Sequence, residues 1–482
     1  MGERRDLHLI LIACAIWAGA AGVGLMSHQY LVVIIPIGAW LIGWHKSVAL
    51  LLITALCAGG ALMAIRQRAL SESFLSRYLD QKSSITMVAS LRSDPVLGQP
   101  KNEGGYIKPA STTALVSGIS FTIGRNTESA HLPLRLTTSE QVHWLPGSVV
   151  RCTGVVYSTA EKRVAALFAV RGQCVLIHGA SSIGRLAGAI RSDFRIASRR
   201  VGGDSGALIP GLVLGDTSLE RHEFTQEMLS AGLTHLTAVS GENFAIIAAF
   251  MMWFLQWFIR QLRLRLIINA AVLIGFIFLV RPSPSVLRAT VMVAVMLIAQ
   301  FRGSKSSVLP ALGLAIALLI FLDPFEATDP GFALSVAATA GILLGQKPVA
   351  RFLNRFMRSE KLCELLAIPL AANLLCVPVT IALSGQFSVM SIPSNIFVEP
   401  AIAPITVIGF IAALITPVLP TVGYLLALSQ KYFSGWICLI AHVSSLVPVI
   451  ALPRGWAGAG VGISAIAIGL LLLHGASALR LR

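Results

Sequence analysis

Charge is what this sequence has little of: 12% of its 482 residues are Asp, Glu, Lys or Arg, while 55% are hydrophobic. A soluble domain carries about 25% charged and about 45–50% apolar residues. The apolar residues also come in long uncharged blocks, more than one globule can hide from water, so a water-soluble enzyme is excluded. Intrinsic disorder is excluded as well, because it requires low hydrophobicity and dense charge. Acidic residues are scarce even among the charged ones: 22 Asp+Glu stand against 38 Lys+Arg, for a net charge of +16 and a pI near 10.1. Cysteine is sparse at seven, with no CxxC pair and no Cys/His cluster, so no zinc site is indicated. No GxxxxGK[ST] run occurs, so no P-loop nucleotide site is indicated.

What is present is membrane. A spanning helix needs about 20 mostly apolar residues. Such blocks fall at 9–27, 30–44 and 47–65, and after a long interruption at 242–259, 266–280, 285–301, 307–322, 331–345, 363–383, 390–417, 433–452 and 457–474. They predict a polytopic α-helical membrane protein with about twelve transmembrane helices. The first block is too long for the apolar core of a cleavable signal peptide, and two more follow it closely. Basic residues on short loops set the orientation. Arg4 and Arg5 place the N-terminus inside, and counting onward puts Arg260, Arg263 and Arg265 inside. Arg302 and Lys305, the cluster Lys347, Arg351, Arg355, Arg358 and Lys361, and the C-terminal Arg480 and Arg482 fall inside too. The acidic loop with Asp323, Glu326 and Asp329 falls outside. This layout predicts a multi-pass membrane protein with both termini cytoplasmic and residues 66–205 extracytoplasmic.

Four parts are expected: a three-helix membrane segment at 1–65, a β domain at 66–180, an amphipathic helix at 181–204 and a membrane domain at 205–478. The β domain is read from ITMVASLR, TALVSGISFTIG, HLPLRLT, SVVRCTGVVYS, RVAALFAV and QCVLI, separated by Gly, Pro, Asn and Ser clusters. Short strands at this spacing suggest a small barrel or sandwich, and an OB-like barrel is the first choice. Pro146 and Gly147 open a strand that meets Gly154, which suits a tightly coiled barrel strand. Residues 66–204 hold 18 Lys+Arg and 9 Asp+Glu, more than half of the net charge. Positive-inside bias does not explain an excess on the outside. A nucleic-acid partner and a basic domain above an anionic membrane surface account for it equally. Cys152 and Cys174 both lie in expected strands of this domain, where disulfides persist, and are expected to form a bridge. The other five cysteines lie in apolar helices and are expected to pack there. In 181–204, Ile183, Leu186, Ala187, Ile190, Phe194 and Ala197 recur at helical spacing, with Arg185, Arg191, Arg195, Arg199 and Arg200 between them. That is the pattern of a helix lying in the bilayer interface, with a helix packed under the barrel as the alternative.

The stretch 207–250 is polar, dense in Gly and Ser, and runs directly into an apolar block. Asp216, Glu220, Glu223, His235, Ser240, Glu242 and Asn243 all fall at or near bilayer depth. A charged group there costs at least ~2.5–3.5 kcal/mol and lines a cavity or a pathway. Irregular polar backbone is tolerated at that depth only inside protein or beside water. Further along, Arg281 and Arg288 bracket a Pro-Ser-Pro-Ser break, Asn373 sits mid-helix, and Asn395 with Glu399 precedes Pro400. Broken helices with inward polar groups mark transport sites. A Ser–His pair can also supply a nucleophile and its base, but no oxyanion hole or orienting carboxylate accompanies His235 and Ser240. Their expected role is to satisfy the backbone of a broken helix, and no catalytic residue is assigned.

The run LIPGLVLGDTSLERHEF…GLTHLTAVSGENFAI resembles the signature of the ComEC family, the DNA-internalisation channel of competent bacteria. RPSPSVLRATVM, LDPFEATDPGFALSVAATAGIL and IPLAANLLCVPVTIALSGQFSVMSIPSNIFVEPAIAP follow in the family's order, so the resemblance covers about 205–415. The family pattern has His where this chain has Asn243, so a metal or proton role is not carried to that position. Many members add a metallo-β-lactamase-like domain, proposed as a nuclease. Here the chain stops eight residues after its last apolar block, without an HxHxDH cluster.

The resemblance therefore implies a gated conduit for single-stranded DNA that is not itself an enzyme and takes no cofactor or metal. Its partners would be an extracytoplasmic DNA receptor, a cytoplasmic ATP-driven translocase, a separate nuclease and possible further copies of the chain. The β domain would receive the strand through Arg151, Lys162 and Arg163 and stack its bases on Tyr106, Phe121, Trp144 and Tyr157. Asp216, His235, Ser240, Glu242, Asn243, Asn373, Asn395 and Glu399 would line the path, with Arg281 and Arg288 touching the phosphates. Two other readings stand beside this one. One is a small-solute or proton-coupled transporter with Glu242 or Glu399 as relay. The other is a membrane-embedded hydrolase that needs His235 or Ser240.

Overall fold

The computed structural model describes residues 2–25, 46–98, 101–103, 106–108, 111–140, 142, 144–237, 239–281, 284–301 and 308–464. The chain forms two compact units, one of Met1–Gly60 with Ile190–Arg482 and one of Ala61–Ala189.

The first unit is helical. Its elements are α1 (Gly2–Leu25), α2 (Lys46–Ser71, as far as Gly60), α3 (Ser182–Val201, from Ile190), α4 (Gly203–Leu214), α5 (His222–Ser230), α6 (Gly241–Leu255), α7 (Leu262–Val280) and α8 (Pro284–Phe301). They continue with α9 (Val308–Leu322), α10 (Pro330–Leu353), α11 (Glu360–Ser384), α12 (Ser391–Ile415), α13 (Pro420–Ser429) and α14 (Lys431–Ser445). Small residues let these helices approach closely in an apolar medium. A Cβ on Gly19 would meet the Leu56 carbonyl, and one on Gly59 would meet the Ile16 carbonyl, so α1 and α2 touch backbone to backbone. Gly313 of α9 lies against the Ile10 backbone in the same way.

Among the described residues, six helices are long and apolar enough to cross a membrane: His8–Leu25, Leu50–Ser71, Leu262–Val280, Pro330–Leu353, Glu360–Ser384 and Ser391–Ile415. The chain is a polytopic membrane protein. Other apolar blocks form helices of 10–17 residues, among them α4, α6, α9 and α13. At 1.5 Å per residue a 15-residue helix reaches about 22 Å, short of an about 30 Å hydrocarbon core. Expected spans at 30–44 and in the second half of 457–474 lie outside the described residues. The block 433–452 is not one helix: α14 ends at Ser445, and Ile450–Ala451 pairs with Gln386–Phe387. In α4 every residue from Gly206 to Leu214 is buried, although the sequence placed its start in a polar stretch.

The second unit is built on a seven-stranded sheet. Its strands are β1 (Ile85–Leu91), β2 (Val96–Leu97), β5 (Thr112–Ile123), β6 (Asn126–Thr138), β7 (Val149–Tyr157), β8 (Ala166–Val170) and β9 (Val175–His178). The short hairpin of β3 (Lys101–Glu103) and β4 (Tyr106–Lys108) stands apart from it. β1 pairs β5, β5 pairs β6, β6 pairs β8 in parallel, β8 pairs β7, and β7 returns to β1. These pairings close a ring of five strands. Period-two burial explains why the segments fold as strands: Ile85, Met87, Ala89 and Leu91 of β1 turn inward, as do Leu132, Leu134 and Leu136 of β6. The register slips at Val88/Ala89 and Gly118/Ser120 bend the strands as bulges do. Gly124, at φ +61°, opens a two-residue hairpin between β5 and β6, the place where a tight turn needs glycine.

Cys152 is bonded to Cys174. Cys152 lies in β7, while Cys174 lies one residue ahead of β9 rather than within a strand. Arg135 of β6 grips Glu161 with two hydrogen bonds, of 2.6 and 2.8 Å. The Glu161 carboxylate beside it raises the Arg135 guanidinium above its ordinary value.

Candidate functional site

The polar signature begins where α4 ends, and its first task is structural. The last carbonyls of a helix have no partner within it. In α4 the Leu212 carbonyl accepts from Asn243 Nδ2 at 2.8 Å, and the Leu214 carbonyl accepts from Arg191 Nη1 at 2.6 Å. The same Arg191 nitrogen donates to Leu279 at the end of α7, 3.0 Å away. One buried guanidinium thus ties two helix C-termini, where a cation is favoured by the helix dipole. The sequence placed Arg191 on the polar face of α3; the fold turns it inward beside Phe194, Ala197 and Val201. In the first turns of α3, Ile183 and Leu186 remain exposed. Arg195 binds Asp216 at 2.7 Å, and the Ser218 amide donates to the other carboxylate oxygen at 3.2 Å. Asp216 is buried in this pairing rather than open to a lumen.

α6 carries the next group. Ser240 occupies its N-cap position without a side-chain hydrogen bond to the helix, so the expected backbone role is not filled there. His235 stands in the short turn Thr234–Leu236 ahead of α6 and is exposed. Glu242 stands in the first turn of α6, and α12, which packs against α6, carries Glu399. Glu242 is exposed and Glu399 half-buried. Exposed Trp253 and Trp257, followed by Arg260 and Arg263, mark the far end of α6 as an interfacial belt. Counting back from Trp253 at 1.5 Å per residue places Glu242 about 16 Å deeper, near the middle of a layer about 30 Å thick. Exposed carboxyls at that depth need water or a polar lumen beside them.

Other expected lining residues are engaged differently. Asn373 Nδ2 donates to the Pro369 carbonyl at 3.0 Å, and Asn395 Nδ2 to the Ser391 carbonyl at 2.7 Å. Both amides are folded back on their own helices. Arg281 caps α7 with φ +73° and is half-buried. Arg288 is 1% exposed. Its Nε donates to Ser335 Oγ at 3.1 Å and its Nη1 to the Phe332 carbonyl at 3.4 Å, with the guanidinium 5.0 Å over the Phe332 ring. The Trp17 ring meets Phe332 edge-on at 5.4 Å, and its Nε1 donates to the Ala327 carbonyl at 2.9 Å. Arg288 is therefore an internal tie between α8 and α10, enclosed where a passing phosphate does not reach it.

In the β unit, Arg151 and Lys162 are exposed, and Arg163, Trp144 and Tyr157 are half-buried. Phe121 is fully buried, its ring 5.2 Å from that of Phe74, so it belongs to the core and offers no face to a base. The Tyr106 side chain lies outside the described residues. Sequence reasoning missed Asn269, fully buried on α7, whose amide donates to the Ala248 carbonyl of α6 at 3.3 Å. It also missed the hydroxyl pair Ser394–Ser444 at 2.7 Å. For Asn269 the available signal was a polar residue near the centre of an apolar run.

Helices with small-residue contacts and broken apolar segments define a multi-pass membrane protein. A family model described as "Competence protein" matches residues 212–477. That is more than half of the chain, and the chain belongs to this family, as its sequence blocks implied. It is similar to ComE operon protein 3 of Bacillus subtilis (strain 168), at 25% identity over 258 residues. The similar region covers 52% of this chain and 30% of that protein's length. No solved structure matches.

Proposed function

We propose that the chain conducts single-stranded DNA across the cell membrane during natural transformation. The observation that carries this reading is a carboxylate on each of two packed helices, Glu242 of α6 and Glu399 of α12, inside the region that matches the Competence family. A polyanion crossing hydrocarbon needs a wet polar lumen, and residues 235–243 with 395–399 are our candidate for its wall. We read the ring of five strands as an OB-like barrel; the strand order β1-β5-β6-β8-β7 with one parallel pair supports this. Arg151, Lys162, Arg163, Trp144 and Tyr157 are its candidate contacts to a strand, the cations for phosphates and the rings for bases.

The shorter apolar helices count in this reading as broken spans, giving about twelve in all. Both termini would be cytoplasmic and the β unit outside. An extracytoplasmic DNA receptor, an ATP-driven translocase and a separate nuclease would complete the pathway. The same two carboxylates favour a second reading, a proton-coupled transporter of a small solute, in which the basic β unit has no part.

The full chain in lipid nanodiscs tests the choice against a labelled single-stranded oligonucleotide. The proposal expects binding that weakens steeply with salt, as counterion release requires, and that weakens further in Arg151→Glu. No binding at low salt overturns it.

A further inference from the structure

α6, α7 and α8 leave an apolar groove between them, about 190 Å³ in volume. Ala270, Ile274 and Ile277 of α7 form one wall, and Ala294, Leu297 and Ile298 of α8 form the other. Phe244 of α6 lines it as well, packed against the Phe276 ring 4.9 Å away. Thr290 is the polar member of the lining, and its hydroxyl is spent on the Val286 carbonyl at 2.7 Å. Ile274 and Ile298 are each 55% exposed, so the groove is open along one side. An apolar cavity of about 150 Å³ stays dry and takes a molecule the size of benzene.

One end of the groove is charged. Arg263 lies two turns before Ala270, on the face of α7 that lines the groove. On α8, Phe301 follows Leu297 and Ile298 by one turn. The Arg263 guanidinium lies 5.6 Å from the centre of the Phe301 ring, which joins the two walls at this end. Among the described residues no hydrogen bond or ion pair occupies it, and a guanidinium stacked on a ring keeps its edge for a phosphate. Exposed Trp257 and Phe258, with Arg260 after them, put this end at headgroup level. Along α7, Ala270 and Ile277 stand about 10 and about 21 Å from Arg263. A bilayer about 40–45 Å thick has a core of about 30 Å, so one leaflet's hydrocarbon lies about 6 to about 21 Å below the headgroup surface. The groove runs over that depth.

We propose that the groove binds one anionic phospholipid, with an acyl chain seated against α7 and α8 and the phosphate on Arg263. The bilayer supplies the occupant, a chain of methylenes at the same depth, and the arginine at the groove's end selects a negative headgroup. A seated chain restores the dispersion contacts that open walls lack. A helix from a second copy is about 10–12 Å across, so it would rest over this volume rather than fill it. The site does not depend on what the protein conducts.

The test uses the full chain in phosphatidylcholine nanodiscs with a trace of photoreactive lipid. The probe carries a diazirine on its acyl chain and either a phosphatidylglycerol or a phosphatidylcholine headgroup. After irradiation the labelled peptides are mapped. Peptides 266–281 and 284–301 should take the phosphatidylglycerol probe at least about fivefold over the other, the preference that one basic residue at an anionic surface supplies. No such preference is expected in 391–415, a helix without a basic residue. Arg263→Gln should bring the groove peptides down to the level of that control. Ala294→Phe puts a ring into the groove from an exposed position and should lower their labelling by both probes, with 391–415 unchanged. Equal labelling by the two probes in the wild type overturns the proposal, and so does a preference kept in Arg263→Gln. Unchanged labelling in Ala294→Phe overturns it as well; should that variant fail to fold, Ala270→Leu is read in the same way. Groove peptides that take neither probe, as a second copy or another segment of this chain lying over them requires, also overturn it.

Discussion

The side-chain amide of Asn243 donates to the main-chain carbonyl of Leu212 across 2.8 Å, and so fastens the first turn of α6 to the C-terminal end of α4. Both partners are buried, at 4% and 3% exposure. An orphaned buried carbonyl costs about 1–3 kcal/mol. Asn243→Ala is therefore expected to lower stability by about that amount, read as the thermal unfolding midpoint of the purified full chain. Asn243→Asp should cost more, because an ionised carboxylate is acceptor-only and would face another acceptor. An unchanged midpoint in both variants would remove Asn243 from the frame of the site.

Arg288 is enclosed by Ser335 and Phe332 and lies within electrostatic reach of Glu326 and Asp329. Arg288→Glu puts a carboxylate in that setting, and a loss above about 4 kcal/mol is expected, enough to prevent accumulation of folded protein. Arg288→Met keeps most of the volume without the charge and should fold, losing no more than about 2 kcal/mol. Oligonucleotide binding by Arg288→Met should match the wild type. A folded Arg288→Met protein with lost binding would restore the phosphate-contact role that the sequence suggested.

The Cys152–Cys174 bond closes a loop with a sequence separation of 22. A loop of that size contributes about 3 kcal/mol. Alkylation of the denatured, unreduced chain should leave both cysteines unmodified, with two further alkyl groups added after reduction. Cys152→Ala/Cys174→Ala should lower the unfolding midpoint of the β unit. Full alkylation without reductant would show the bond absent.

How far the sequence could be read depended on whether a residue's environment is local. All six expected strands are present because alternation along one strand reports one buried face directly, as in Ile85, Met87, Ala89 and Leu91. An OB-like barrel was expected, but which strands pair was not legible, since the β6–β8 and β7–β1 pairings join distant segments. Arg191 and Arg288 misled for one shared reason. An arginine reads as a surface or phosphate-binding group until the fold supplies helix carbonyls or an aromatic ring to enclose it. Phe121 misled in the opposite sense, as an aromatic in a basic strand-rich segment that the Gly118 bulge turns into the core. Glu242 and Glu399 both stood out as misplaced charges; that α6 and α12, which carry them, pack together is a property of the fold.

The central claim is passage of DNA, and the most direct measurement is transformation itself. Cells of the source organism, under conditions where they acquire a chromosomal marker from added DNA, are compared with cells lacking this gene and with cells that carry it again in trans. The account predicts that marker acquisition is lost without the gene and restored with it, while binding of DNA at the cell surface persists. Unchanged acquisition in the deleted strain would contradict it.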